Sequence, residues 1–185
     1  MKGIIFTEFI DMAEKYFSPE MVDILLSETN LPSKGIYTSI GSYDISELLA
    51  LIDVLSKHSD KTVKELLQFF GFYLFGRLAS IYQELLTDIT GTFQMLEKLD
   101  DHIHVEVKKL YPDADIPKFE VIHIDKKELK IRYQSSRPLA DLAEGLIKGC
   151  IAHYNEKLEL TRHNISEYPP YEALFCINDV NGYGK

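Results

Sequence analysis

The sequence predicts an α+β fold in which an N-terminal lobe of helices precedes a C-terminal lobe built on a four-stranded antiparallel sheet with helices. Apolar residues recur with helical spacing as far as Tyr111, whereas from Phe119 onward they alternate as in strands. Turn residues and one crossing helix separate the alternating stretches, which favours antiparallel pairing. Because no polar linker divides the chain, we expect a single domain over residues 1–185, with a helical lobe at 1–65 and an α/β lobe at 66–185.

The first helix is indicated by an apolar stripe. Ile5, Phe9, Met12 and Tyr16 have the spacing of one helical face, and the pattern stops near Phe17. One face of this helix must therefore be buried.

Three further helices are predicted in the first lobe and at its border. Ser18 and Pro19 are typical of the first positions of a helix, whereas residues 31–41, with one Pro and two Gly, indicate a loop. The third helix begins near Asp44 and the fourth near Thr62.

The fourth helix continues into an apolar stretch at residues 72–75, which Gly71 and Gly76 bracket. The favoured interpretation is a buried helix whose glycines let another backbone approach. The alternative is that this stretch forms the wall of an apolar pocket.

A long helix follows Gly91, and Pro112 ends it. His102 and His104 flank its apolar stripe on opposite sides, each about 100° from the centre of the stripe. Helical geometry does not choose between them, and a single histidine at the edge of an apolar stripe is more often structural than a metal ligand.

The second lobe is predicted from four alternating stretches. These strands cover residues 119–124, 129–133, 157–162 and 173–177. The first two form a hairpin around a turn at 125–127, and a helix over 138–154 follows them.

Three polar residues lie at alternate positions where the second strand ends. Tyr133, Ser135 and Arg137 would leave an extended backbone on one face. Their hydroxyl and guanidinium donors could hold an anionic group. An ordinary polar strand end is the other interpretation, and three fixed residues do not exclude it.

The composition argues against several classes of protein. With 45% hydrophobic and 26% charged residues the chain is typical of globular proteins, and its net charge of −9 argues against nucleic-acid binding. We expect no signal peptide, no membrane association and a cytoplasmic location, because acidic residues interrupt the N-terminal apolar stretch and no apolar run could span a bilayer.

The two cysteines, Cys150 and Cys176, lack the spacing of a zinc site. We expect both to be reduced and buried. A zinc site shared with His153 and His163 is the less favoured alternative.

Three segments together resemble one family. They are the end of the long helix at residues 104–112, the P-x-F motif at 117–119 and the Y-x-S-x-R motif at 133–137. With these motifs the chain resembles the H-NOX domains, the heme nitric oxide/oxygen binding family related to the heme domain of soluble guanylate cyclase, and in particular its stand-alone bacterial members of NO-selective type. The resemblance covers nearly the whole chain and implies an H-NOX fold with heme b buried between the two lobes.

The resemblance implies roles for individual residues. The iron ligand of the family stands seven residues before the Tyr of a Tyr-Pro pair, which implies His104 as the metal ligand and places His102 outside that role. Pro117 matches a proline that packs on the heme and distorts it. The three donors of the Y-x-S-x-R motif would bind the heme propionates.

The same resemblance implies which gas is bound. In the O₂-binding branch a tyrosine about five residues after the signature arginine donates a hydrogen bond to O₂, and Leu142 stands at that place here. We expect apolar side chains to line the distal pocket, namely Ile5, Phe9, Leu74 and Leu142. Such a pocket selects NO and CO over O₂, unless another donor such as Tyr73 or Tyr82 reaches it.

The implied function is that of a gas sensor without catalytic chemistry of its own. The partner would be a separate signalling protein, such as a histidine kinase or a cyclic-di-GMP enzyme. The alternatives are a heme enzyme of NO-dioxygenase or peroxidase type, which needs distal acid and base residues, and an interaction module without a cofactor.

Overall fold

The computed structural model describes residues 1–180. In chain order its elements are α1 (Gly3–Tyr16), α2 (Pro19–Glu28), α3 (Ile45–Lys57), α4 (Val63–Ile81), a 3₁₀-helix (Gln83–Leu86), α5 (Thr92–Glu97), a π-helical segment (Leu99–Ile103), α6 (His104–Leu110), β1 (Lys118–Ile124), β2 (Glu128–Ser135), α7 (Ala140–His153), β3 (Leu158–Ser166) and β4 (Tyr171–Asp179). The predicted α+β class and the antiparallel pairing of the four strands are confirmed. Across the same residues, no helix combines the length and apolar character needed to cross a membrane.

The prediction of one continuous helix after Gly91 is wrong, because this stretch is divided into α5, a π-helical segment and α6. The backbone amides of Ile103 and His104 donate to the carbonyls of Lys98 and Leu99, five residues back, so the chain widens into a π-helical turn. This turn separates α5 from α6 and makes His104 the first residue of α6. The apolar stripe could not show the change, because a π-turn alters the register without altering which residues are apolar.

The sheet has the order β1-β2-β4-β3, and α7 covers one of its faces. The residues of the two central strands that face α7 are buried, among them Leu129, Ile131, Tyr133, Phe175 and Ile177. Strand β3 begins one residue later than predicted and ends four residues later, whereas β4 is two residues longer than predicted at each end. The sheet therefore presents the end of β2, with Tyr133 and Ser135, to the inside of the molecule.

Helix α4 links the two parts of the fold. The boundary predicted between residues 65 and 66 falls within it, and Leu66, Phe70 and Leu74 belong to the same core as α1 and α3. Its other side packs along α7. The division into two lobes stays a prediction, since α4 contributes to both.

Two glycines allow α4 and α7 to approach each other closely. A methyl group at Gly71 would overlap with the carbonyl oxygen of Leu142, and one at Gly145 would overlap with the carbonyl oxygen of Gln68. The interpretation of the two bracketing glycines as sites of close backbone approach is therefore confirmed for Gly71 and wrong for Gly76, where an added methyl group meets nothing within 4 Å. The alternative also holds in part, because Leu74 and Phe75 line an apolar cavity. The close approach at Gly71 fixes where Leu142 stands relative to α4.

Replacing Gly145 by Ala is expected to lower the free energy of unfolding by about 1–3 kcal/mol, because the helices would have to separate. Gly76→Ala is the matched control, since a side chain there meets nothing within 4 Å. It is expected to stabilise the protein by about 0.5–1 kcal/mol through helix propensity. Urea denaturation measures both, and equal effects of the two substitutions would contradict the close-packing argument.

Candidate functional site

A largely apolar cavity of about 320 Å³ lies between the helical core and the sheet. Its walls come from the start of α1, the second half of α4, the segment from α5 to α6, the end of β2 and helix α7. Every predicted site residue except Phe9 lines this cavity. The fold thus brings together residues that are far apart in the sequence.

His104 lines the cavity, and its ring is held by a carboxylate. Nδ1 lies 2.7 Å from Oδ1 of Asp100, and Oδ2 of Asp100 accepts a hydrogen bond of 2.7 Å from the backbone amide of Phe119. A carboxylate only accepts, so Nδ1 is the donor and the lone pair of the neutral ring is at Nε2. Burial lowers the pKa of His104, which favours this neutral form.

Asp100 was not predicted as a functional residue. Its signal in the sequence is its position four residues before His104, which in a helix places the two side chains on one face. A carboxylate bonded to the second nitrogen of an imidazole is the usual way of orienting a metal-binding histidine. His102, by contrast, is exposed and does not line the cavity, so the structure separates two histidines that helical periodicity could not.

The polar donors Tyr133, Ser135 and Arg137 line the cavity, and so does the apolar ring of Pro117. The Ser135 hydroxyl accepts a hydrogen bond of 3.1 Å from the backbone amide of Arg137. Tyr133 is almost fully buried, and burial raises its pKa. The predicted donors therefore do converge at one end of an otherwise apolar space.

In this structure Arg137 binds a carboxylate of the protein itself. Its Nη2 lies 3.1 Å from Oδ2 of Asp115, and the Ser136 hydroxyl donates to the same oxygen at 2.8 Å. Asp115 also lines the cavity and is half exposed. The guanidinium is thus placed where it can hold a carboxylate at the cavity rim.

The predicted apolar wall is only partly as expected. Ile5, Leu74 and Leu142 line the cavity, whereas the structure places Phe9 in the helical core, with its ring centre 5.3 Å from that of Phe70. Phe9 lies one turn beyond Ile5, about 6 Å further along α1, and so passes the end of the cavity. Further apolar side chains from α4 and α7 line it instead, namely Leu78 and Leu146.

Two tyrosines were possible hydrogen-bond donors to this wall. Tyr73 does not line the cavity, and its ring stands edge-on to Tyr16 at 5.8 Å. Tyr82 does line the cavity, but its hydroxyl lies 3.0 Å from the hydroxyl of Tyr111, at the end of α6. The Tyr82 hydroxyl is therefore hydrogen-bonded to the residue that follows α6, the helix that begins at His104.

The cavity fits a heme. It offers one neutral imidazole, apolar walls and carboxylate-binding donors at one end, which are the features that a flat metal macrocycle with two carboxylates requires. Within residues 1–180, no group of three or more His, Cys, Asp or Glu side chains could hold a bare metal ion. The zinc site considered for Cys150 and Cys176 is therefore not formed by these residues, and both cysteines are buried as expected.

Comparison with known proteins agrees with this site. The model of the family described as Haem-NO-binding matches residues 2–162. The unliganded Fe(II) H-NOX protein from K. algicida is 38% identical, with a TM-score of 0.91 and coverage of 100% of both chains. The IWP-051-bound H-NOX from Shewanella woodyi, in the Fe(II)CO state, is also 38% identical, with a TM-score of 0.84 and coverage of 100% of this chain and 97% of the other.

A more distant match has the same fold in another ligation state. The H-NOX protein from S. oneidensis in the Fe(II)NO state is 26% identical, with a TM-score of 0.88 and coverage of 96% of this chain and 98% of the other. The family match over most of the chain and the similarity to these structures together identify the family and the fold. The chain is a member of the Haem-NO-binding family and has the H-NOX fold.

Proposed function

We propose that the protein is a heme-based sensor that binds NO and CO, but not O₂, at a ferrous heme b ligated by His104. The observation that carries this proposal is an imidazole oriented by Asp100 in a cavity whose remaining wall is apolar at Ile5, Leu74 and Leu142. When bound, ferrous heme supplies an open coordination position for a diatomic gas. This proposal is supported by two relatives with the same fold, one of which has NO bound to its iron and the other CO.

The residues of this chain divide the work of holding the cofactor. His104 would supply the nitrogen ligand of the iron, while Arg137, Ser135 and Tyr133 would donate to the propionates. Arg137 would then exchange Asp115 for a propionate or share its donors between them. Pro117 lines the same cavity and would pack on the macrocycle.

Selectivity would come from what Leu142 lacks. O₂ as a ligand of ferrous iron draws negative charge and is stabilised by a donor, whereas NO binds tightly without one. Leu142 is almost fully buried and offers no donor. The hydroxyl of Tyr82, which also lines the cavity, already has the Tyr111 hydroxyl as a hydrogen-bond partner.

The charged side chains of the cavity favour a sensor over a heme enzyme, because in this structure they are bound to one another or to neighbouring residues. A peroxidase or NO-dioxygenase needs distal acid and base residues. The charged side chains that line this cavity are already paired, since Arg137 binds Asp115 and Lys2 binds Asp113. We therefore propose that the output is a change of shape, read by a separate protein such as a histidine kinase or a cyclic-di-GMP enzyme.

Exposure of the heme-loaded ferrous protein to air tests this proposal. The expected absorbance spectrum is that of five-coordinate histidine-ligated heme, which is replaced at once on addition of NO or CO. A stable O₂ spectrum in air would contradict the selectivity. No Soret band after supplementation with heme would instead favour an interaction module without a cofactor.

A further inference from the structure

The hydroxyl groups of Tyr82 and Tyr111 form a hydrogen bond of 3.0 Å on the wall of the cavity. Tyr82 is the C-terminal cap of α4, and Tyr111 is the C-terminal cap of α6. Helix α4 is part of the helical core, and α6 begins at His104. This hydrogen bond therefore connects α6, which carries the candidate iron ligand, to α4, which forms another part of the cavity wall.

Helix α6 has few apolar contacts to hold it in place. Within this seven-residue helix no side chain is fully buried, and Val105 and Leu110 are 44% and 58% exposed. Val107 is partly buried against a core cluster, and the His104 ring lies 5.9 Å from that of Phe119. Because apolar burial is the usual source of helix stability in proteins, polar contacts at the two ends of α6 carry more weight than usual, and at its start the contact is that of His104 with Asp100.

The Tyr82–Tyr111 bond is better shielded than the other contact that follows α6. Asp113 binds the ammonium of Lys2 at 2.7 Å and accepts from the hydroxyl of Ser42 at 3.0 Å, but its side chain is 63% exposed. Exposed ion pairs of this kind contribute little to stability. Burial and the neighbouring Tyr111 hydroxyl raise the pKa of Tyr82 to about 12, so the Tyr82 hydroxyl keeps its proton near neutral pH.

We propose that Tyr82 and Tyr111 are positioning residues whose hydrogen bond holds α6 against α4 and resists the movement of His104 away from the iron when NO binds. The proposal rests on the proposed function. His104 and Tyr111 are separated by seven residues of one helix, about 10 Å, so a restraint at one end of α6 acts on the other. Loss of the bond leaves the contact of His104 with Asp100 and the partial burial of Val107 to oppose the movement.

Tyr82→Phe, Tyr111→Phe and the double variant test this inference in the heme-loaded protein. Stopped-flow absorbance after mixing with NO measures the rate at which the iron–histidine bond is lost. Each single variant is expected to lose it about fivefold faster, the effect of one net hydrogen bond of typical strength. The double variant is expected to match the single variants, because all three remove the same bond.

The iron–histidine vibration of the unliganded ferrous protein gives a second measurement that does not involve NO. It is expected to shift to lower frequency in the three variants, since α6 holds His104 less firmly. Tyr73→Phe is the matched control, because Tyr73 is also on α4 but does not line the cavity. Neither the rate nor the vibration should change in it.

Two different failures can be told apart. The inference is overturned, and the proposed function left intact, if both Tyr82→Phe and Tyr111→Phe have the same rate and vibration as the original protein. Slower loss of the iron–histidine bond in these variants has the same meaning. An original protein that shows no iron–histidine vibration would overturn the proposed function and the inference together, whereas one that keeps this vibration after binding NO would overturn the inference alone. Each variant removes only a hydroxyl group, and the two independent single variants guard against a folding defect in one of them.

Discussion

Replacement of His104 by Gly is expected to abolish the five-coordinate histidine spectrum of the ferrous protein. The substitution removes the imidazole that Asp100 orients into the cavity. The thiol of Cys150, which also lines the cavity, is a poor replacement, because burial raises its pKa to about 12. A protonated thiol is a poor metal ligand.

The heme itself should remain bound in this variant. The apolar walls and the donors around Arg137 are unaffected, and the space left by the side chain can admit free imidazole. Resonance Raman spectroscopy should show loss of the iron–histidine band, and imidazole in the buffer should restore a band of this type. His102→Gly is the matched control, since His102 is exposed and lies two residues away. Persistence of the band in the His104 variant without imidazole would exclude His104 as the ligand.

The order of helices and strands followed from local patterns, and this explains which predictions of the fold succeeded. Alternation and helical spacing are properties of short segments, so they located α1 and the four strands. The π-helical turn before His104 was missed because it changes the register of the helix without changing which residues are apolar, and the long-range contact of Asp100 was missed because its partner is far along the chain. Asp100 reaches the backbone amide of Phe119, nineteen residues later, and periodicity does not record such contacts.

The candidate site was predictable only in part for the same reason. The stripe of α1 included both Ile5 and Phe9, but which turn of the helix meets the cavity depends on where the other elements cross it. The donors Ser135 and Arg137 could be recognised, whereas the carboxylate of Asp115 that binds Arg137 could not. A motif shows what a residue can donate, and only the fold shows what already accepts it.

Leu142→Tyr is expected to convert the protein toward O₂ binding. Leu142 is buried on the cavity wall, so a hydroxyl introduced there can reach a gas bound in the cavity if the ring takes the place of the leucine. A hydrogen bond to a charged acceptor contributes about 1.5–3 kcal/mol, which corresponds to a gain of about 10- to 150-fold in O₂ affinity. NO binding should change little, because NO does not depend on a donor. Oxygen titration of the ferrous protein, followed by absorbance, measures the change.

Leu142→Phe separates the effect of the hydroxyl from that of the ring. Both variants place a ring beside the carbonyl of Leu142 that Gly71 contacts, so they share any shift of α4 against α7. An equal gain of O₂ affinity in both variants would mean that the size of the pocket, rather than a hydrogen bond, governs the choice of gas. A gain only in the Tyr variant would show that the leucine excludes O₂ by withholding a donor. No gain in either would place the control of selectivity elsewhere on the wall, with Tyr82 as the first residue to test, since its hydroxyl already stands at the cavity.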